Sequence, residues 1–379
     1  MDSPVLSALR QILPYFASGV FSPIETPIFL QSSRLLRAQL YFTQLPRDID
    51  IRRTGGWHKA AMELKEDAVV FYPYNSASNL FAVSNRKSRH VLTLHGESNK
   101  MASNLPAARI YDYISIAGPL ARDRYLSAGI FTPDDVDRGR LVMMGDSYVQ
   151  DMSWIASEQE AHGEPALFYS PTWEGYGNGN DDYNSITGGI GFDIVAEAAK
   201  AIGTDRIVVK PHPYLGLLRP SVLRDFVAGV KSLAERGLKP ELALADASRL
   251  VSWVSRLQLR DIARFTEDSD NPLPVRLAIC DVSGMEAVFL KQNISHMVYA
   301  GDMPIPASLA DFYHRKVIGT ENDIHDQVRR YADDADEIHL VHRSRVFGWY
   351  EPSLADQSGT ARRNWLTNYV RKDPFWGRN

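Results

Sequence analysis

The stretch Leu277-Ala-Ile-Cys-Asp281-Val-Ser283-Gly284 ends a short apolar run on polar residues, and Met-Glu286-Ala-Val-Phe-Leu follows it. A buried strand of a parallel sheet reads as such a run, because both of its faces are covered. A serine and a glycine that open a helix leave free backbone N–H groups at the positive end of the helix dipole. The stretch therefore predicts a strand, a turn and a helix that binds phosphate through Ser283 and Gly284. The alternative for Ser283 is a plain helix N-cap.

Three more stretches end an apolar run in the same way: Leu-Thr-Leu-His95-Gly96, Phe-Tyr-Ser170-Pro171-Thr172 and Val-Val-Lys210-Pro211-His212-Pro213. Ligands of parallel α/β sheets bind outside the carboxyl ends of the strands. Candidate strands are 68–72, 91–94, 113–117 and 141–144 in the first half and 167–169, 207–209, 242–245, 277–280 and 297–300 in the second. Helical patterns lie between them, among them 119–127 and 192–201. The sequence therefore predicts an α/β fold with a repeated strand and helix in both halves.

The length of 379 residues exceeds one ordinary domain of about 100–200 residues. Apolar periodicity fades in 153–165, where the chain reads Ser-Glu-Gln-Glu-Ala-His-Gly-Glu-Pro before the next strand. We predict a first domain over 1–155, a second over 156–345, and a C-terminal segment, 346–379, that packs back toward the first domain.

Charge and cysteine content exclude several classes of protein. A formal net charge of −4 with 23% charged residues lacks the basic footprint of a nucleic-acid-binding domain. The single cysteine, Cys280, excludes an internal disulfide framework and a cysteine-rich zinc site. The apolar pattern near the N-terminus is interrupted by Arg10 and Pro14, well short of the roughly 20 apolar residues that a membrane span requires. We expect a cytoplasmic protein.

A basic and apolar segment follows in 34–53, where five arginines are interleaved with leucines and aromatic residues. Such a segment could lie on an anionic membrane surface, which would make the protein peripheral at the inner face of the cell membrane. The alternative is an ordinary amphipathic core helix with a solvated basic face.

His212 stands between two prolines directly after a candidate strand, on a loop that the proline rings keep stiff. Its imidazole could donate a hydrogen bond to a phosphate oxygen, and the alternative is a purely structural turn. The hydroxyls of Ser170 and Thr172 could likewise donate to phosphate or ribose.

His95 is the candidate for proton transfer. An imidazole with a pKa near 6.5 can take a proton from an attacking hydroxyl at neutral pH. Glu97 could orient this ring or itself be the base, and the remaining alternative is a hydrogen-bonded histidine at a strand end.

Taken in their order along the chain, the four stretches resemble the CDP-glycerol glycerophosphotransferases that prime and extend teichoic acids, and more widely the GT-B glycosyltransferases. The resemblance covers roughly 68–302 and includes Gly145-Asp146 and the stretch from Lys291 to Asp302. It implies two Rossmann-like domains that face each other across a cleft, with the acceptor and His95 in the first. It implies a donor site in the second domain, where His212 contacts the pyrophosphate and Lys210 helps to neutralise it. The implied donor-binding residues are Ser170, Thr172, Lys210, His212, Asp281, Ser283 and Gly284.

The implied reaction is transfer from a cytidine-nucleotide donor, such as CDP-glycerol, to a hydroxyl of a cell-envelope polymer or a lipid-linked primer. No cofactor and no metal are expected, since the donor is a substrate and no cluster of closely spaced carboxylates stands out beyond Asp181-Asp182. The chain departs from the family where Glu174 replaces an arginine and Gly284 a second serine. Glu174 favours a glycosyltransferase that uses a CMP- or UDP-sugar for capsule or lipopolysaccharide. Further alternatives are a non-hydrolysing nucleotide-sugar epimerase and an inactive nucleotide-binding scaffold.

Overall fold

The computed structural model describes residues 12–13, 15–31, 48–54, 62–75, 79–93, 97–100, 105–175, 183–245, 247–266, 271–301, 307–313, 317–318 and 323–373. These residues divide into two compact units. The first unit comprises those within 1–97, 104–150 and 345–379, and the second comprises those within 98–103 and 151–344.

The strands are β1 (Ile28–Gln31), β2 (Ile51–Thr54), β3 (Val69–Tyr72), β4 (Arg89–Leu92), β5 (Tyr113–Ile116), β6 (Leu141–Met143), β7 (Ile155–Ser157), β8 (Ala166–Ser170), β9 (Arg206–Val209), β10 (Lys239–Ala243), β11 (Arg264–Thr266), β12 (Leu273–Asp281), β13 (His296–Tyr299) and β14 (Val317–Ile318). The helices are α1 (Asn79–Val83), α2 (Pro119–Ser127), α3 (Pro133–Asp137), α4 (Ile190–Ile202), α5 (Pro220–Glu235), α6 (Arg249–Leu259), α7 (Met285–Lys291), α8 (Ala307–Tyr313), α9 (Ile324–Asp333), α10 (Ala335–Val346) and α11 (Gly359–Arg371).

The first unit contains a parallel sheet in the order β3-β4-β5-β6, and β1 and β2 form a separate parallel pair. Successive residues of a strand point to opposite faces, so both sides of this sheet need cover. Val91 packs in one core cluster with Leu366 of α11, and its neighbour Leu92 packs in another with Tyr125 of α2. The C-terminal helix therefore contributes to the core of the first unit.

After α10 the chain belongs to the first unit again, and close backbone contacts hold it there. The Gly348 N–H donates to the Ala117 carbonyl, and the Gly348 carbonyl accepts from the Gly145 N–H, both at 2.9 Å. A Cβ added at Gly118 would lie 2.5 Å from the Gly348 nitrogen, so this approach requires glycine.

The second unit contains a larger parallel sheet in the order β11-β10-β9-β8-β12-β13-β14, and β7 pairs with the first residues of β12. Every residue of β8 is buried, as expected for a central strand with helices on both faces. One continuous cluster joins the sheet to its helices, and its largest side chains include Phe192 of α4 and Phe226 of α5.

The predicted α/β class with parallel sheets is confirmed. Each predicted strand is present, with ends that differ by a few residues, and the predicted helices correspond to α2 and α4. The sequence pattern does not predict β1, β2, β7, β11 and β14. Strand β7 lies inside the stretch 153–165 where the sequence predicts the domain boundary. The second unit begins at 151 and also includes residues within 98–103. No helix among the described residues combines the length and the apolar character needed to cross a membrane. The arginines at 34, 37 and 47 of the basic segment lie outside those residues.

Candidate functional site

The sheet of the second unit has a topological switch point between β8 and β12. From β8 the chain moves outward through β9, β10 and β11, and from β12 it moves in the opposite direction through β13 and β14. In open α/β sheets the connections at such a point leave a crevice outside the carboxyl ends of the strands, where ligands bind. We call the residues that end or follow β8, β9 and β12 here (170–174, 210–214 and 281–284) the switch-point edge. All the predicted donor-binding residues lie on it.

Asp281 ties two loops of this edge together from inside the protein. Its side chain is fully buried, and its Oδ2 accepts hydrogen bonds from the backbone N–H groups of Thr172 at 2.6 Å and Ser185 at 3.3 Å. Burial raises the pKa of Asp281 to about 7. In this structure Asp281 thus holds the loop that carries Thr172 and is not exposed toward a ligand, which differs from the direct donor contact that the resemblance implies.

Lys100 reaches the same loop from the short segment that follows the first unit. Its ammonium donates to the hydroxyl oxygen of Thr172 at 2.6 Å. The neighbouring Asn99 is also fixed, since its side-chain amide donates to the Tyr313 hydroxyl at 2.9 Å, and that hydroxyl donates to Glu286 at 2.6 Å. This buried network anchors the segment and sets a cation on the switch-point edge. Lys100 was missed in the sequence.

His212 is oriented by its neighbours. The Tyr214 N–H donates to His212 Nδ1 at 3.1 Å, so the neutral ring carries its proton on Nε2 and can donate from that atom. The ring stacks on Trp173 with an angle of 12° between the planes and 5.8 Å between the centroids. The Trp173 ring also meets the edge of Tyr214. The loop after β9 is therefore held against the loop after β8.

Lys210 and Ser170 join these two loops through the backbone as well. The Lys210 N–H donates to the Tyr169 carbonyl at 2.8 Å, and the Ser170 hydroxyl is 3.4 Å from the Lys210 carbonyl. Both side chains are largely buried. They lie side by side at the ends of the neighbouring strands β8 and β9, as the sequence predicts for strand-end residues.

Glu174 is directed into the protein. Its carboxylate accepts hydrogen bonds at 2.9 Å from the backbone N–H groups of Gly216, Leu218 and Arg219. Its side chain is buried, and both oxygens are engaged. The sequence predicts a carboxylate that either repels a pyrophosphate or binds a sugar hydroxyl, but the structure shows one that fixes the start of α5.

Ser283 and Gly284 precede a helix, as predicted, but α7 spans only the seven residues Met285–Lys291. Gly284 is the N-cap residue and has right-handed helical dihedral angles. The Ser283 hydroxyl accepts from the Met285 N–H at 3.3 Å, so Ser283 helps to order this turn. Phosphate binding by these two residues stays a prediction.

Glu97 is the last residue of the first of the three chain segments that make up the first unit. It forms a buried ion pair with Arg124. Its Oε1 bonds this guanidinium, and its Oε2 accepts from the Ala117 N–H at 3.2 Å. The carboxylate therefore anchors the chain next to the predicted base. His95 itself lies outside the described residues, as do Asp181 and Asp182.

Comparisons with known proteins give distant likenesses only. No protein-family model matches the sequence, and no curated protein matches it. A structure of accessory secretory proteins 1, 2 and 3 from Streptococcus pneumoniae aligns at a TM-score of 0.41 and 8% identity over 83% of this chain and 56% of that one. The GtfA/B complex aligns at a TM-score of 0.41 and 8% identity, over 82% of this chain and 59% of that one. A trehalose-6-phosphate synthase aligns at a TM-score of 0.41 and 9% identity, over 83% of this chain and 76% of that one. The chain thus spans less than two thirds of the first two. Likenesses of this size carry no argument about substrate.

Proposed function

We propose that this protein is a transferase that binds a nucleotide-linked donor at the switch-point edge and moves glycerol phosphate from a cytidine nucleotide to a hydroxyl of a cell-envelope polymer or lipid-linked primer. The observation that carries the proposal is the Lys100 ammonium, which lies 2.6 Å from the Thr172 hydroxyl beside the crevice of a doubly wound sheet. The donor group of the proposal comes from the resemblance of the sequence motifs.

The chemistry of this edge suits a diphosphate. A pyrophosphate needs cations and hydrogen-bond donors that do not have to reorganise when it binds. Lys100 is already tied to a fixed loop, and His212 on the next loop carries its proton on Nε2, from which it can donate. The two carboxylates of the edge, Asp281 and Glu174, bond backbone N–H groups and so add little repulsion.

In the proposed reaction, the acceptor oxygen forms a bond to the β-phosphorus of CDP-glycerol. The bond from that phosphorus to the bridging oxygen breaks, and CMP leaves with the electron pair. Lys100 and Lys210 would stabilise the charge that develops on the leaving phosphate. The proton of the acceptor hydroxyl would pass to His95, with Glu97 holding the adjacent chain.

A nucleotide sugar is the second candidate donor, since the same crevice would direct attack at an anomeric carbon. The sequence argument for it was a free carboxylate at Glu174. Because the backbone of 216–219 occupies that carboxylate, the argument loses its support, and CDP-glycerol remains the leading donor. An epimerase would need active-site carboxylates, and the two carboxylates on the described switch-point edge, Asp281 and Glu174, are both buried.

Incubation with CDP-glycerol, CMP-sugars and UDP-sugars, followed by measurement of the nucleotide released, tests the proposal. Release of CMP from CDP-glycerol alone, in the presence of a hydroxyl acceptor, is expected. Lys100→Met should lose most of this activity, while Lys200→Met, which removes an exposed lysine of α4, should keep it. Release of nucleotide from a nucleotide sugar alone would show that a nucleotide sugar is the donor. Binding of none of these nucleotides would favour the inactive scaffold.

A further inference from the structure

Helix α6 presents a row of large apolar side chains to solvent. Leu250, Trp253 and Leu257 are 50%, 63% and 57% exposed. Residues three, four and seven positions apart lie on one face of a helix, so these side chains form a continuous row. We call them the α6 stripe.

The helix under this row is well anchored. Val251, Ser255 and Leu259 on the opposite face are completely buried, and the side chain of Ser248 accepts the Val251 N–H at 3.2 Å as the N-cap. The orientation of α6 is therefore set by its packing on the second unit. The α6 stripe is exposed to solvent, although the opposite face of the same helix is buried.

Helix α6 itself contains two arginines, Arg249 and Arg256, and no acidic residue. Arg260 follows the helix directly and forms an exposed ion pair with Asp261 at 3.4 Å. Arg256 and Arg260 are exposed, and the Arg256 guanidinium lies 4.9 Å from the centre of the Phe265 ring. An apolar row with tryptophan beside a basic flank is the pattern of a helix that lies in the plane of a membrane interface.

We propose that α6 docks on an anionic lipid surface, with the α6 stripe among the acyl chains and Arg256 and Arg260 at the headgroup phosphates. The charge of the flank favours anionic lipid over a neutral surface. Three side chains also form too small a patch for the interface of about 1,000 Å² that a stable protein partner needs. This surface differs from the basic segment at 34–53 and does not depend on the identity of the donor.

Flotation with vesicles of phosphatidylglycerol and phosphatidylcholine, compared with phosphatidylcholine alone, tests the inference. The wild-type protein should float with the anionic vesicles only, and addition of salt should release it. The double variant Leu250→Ser, Trp253→Ser should lose at least about tenfold in vesicle affinity, because two apolar side chains leave the interface. Since both positions are exposed, an unchanged melting temperature is expected.

Leu340→Ser is the matched control, because Leu340 is a 67% exposed leucine on α10 of the same unit. It should float like the wild type, whereas Arg256→Gln, Arg260→Gln should bind more weakly. The proposal is overturned if the wild type does not float, or if the serine double variant floats equally well. It is also overturned if light scattering shows a wild-type dimer that the double variant converts to a monomer, since a second copy then covers the stripe.

Discussion

Asp281→Asn should change how the stability of the second unit depends on pH. The carboxylate is fully buried, and its Oδ2 accepts the N–H groups of Thr172 and Ser185. Asparagine keeps an acceptor oxygen for both N–H groups and carries no charge at any pH. The substitution therefore removes the cost of a buried charge while it preserves the loop.

The magnitude follows from the pKa of this group. Burial raises the pKa of Asp281 from 3.8 to about 7, a rise of about three units. At about 1.4 kcal/mol per unit the effect is about 4 kcal/mol. The native state binds the proton more tightly than the unfolded state, so the stability that Asp281 contributes is full below pH 4 and is lost as the pH rises toward 7. The asparagine variant lacks this loss, and its advantage over the wild type should grow by about 2–3 kcal/mol between pH 5 and pH 8.

Urea unfolding of both proteins at pH 5, 6, 7 and 8 measures this difference, which is read from the shift between their midpoints. Asp261→Asn is the control, because this carboxylate is exposed. A constant difference between Asp281→Asn and the wild type over this range would show that Asp281 is ionised in the native state throughout, and would refute the reasoning.

Three further predictions concern proton transfer, metal and packing. His95→Ala should lower the single-turnover transfer rate by about 10²–10⁴-fold and leave donor affinity nearly intact, and a wild-type rate would make this histidine structural. Turnover should survive EDTA, since lysines and hydrogen-bond donors of the proposed site would neutralise the donor phosphates; a loss that Mg²⁺ reverses would contradict this. Gly191→Ala should lower the free energy of unfolding by about 1–3 kcal/mol in a urea titration, because an added Cβ would overlap the Tyr169 hydroxyl, and an unchanged midpoint would show that this hydroxyl can move.

The central strands were predictable from the sequence because their burial on both faces leaves continuous apolar runs. β8 and β9 are of this kind, and their polar strand-end residues come together as expected. By contrast, β7 and β11 have three residues each and β14 has two. The equally short β6 lies in the apolar run 141–144, whereas β7 and β11 include polar residues and so give no apolar run. The first part of β12 is interrupted by Pro274 and Arg276, so only its later half is recognisable.

The parts of the site that depend on long-range folding could not be read from local patterns. Lys100 meets Thr172 only because the chain enters the second unit after residue 97, and nothing in Ser98-Asn99-Lys100 signals that crossing. For Glu174, the sequence shows an acidic residue near the predicted donor site but not the direction of its side chain. That direction depends on the N–H groups of 216–219, more than 40 residues further along the chain.

Calorimetric titration of CDP-glycerol into the wild type and into Lys100→Met, His212→Ala and Ser283→Ala tests the donor site most directly. Loss of one charge-assisted hydrogen bond costs about 1.5–3 kcal/mol, so each variant should bind about tenfold to 150-fold more weakly. Lys200→Met, which removes an exposed cation of the same unit, should bind like the wild type. Wild-type affinity in both Lys100→Met and His212→Ala would contradict the assignment of the donor phosphates to the switch-point edge.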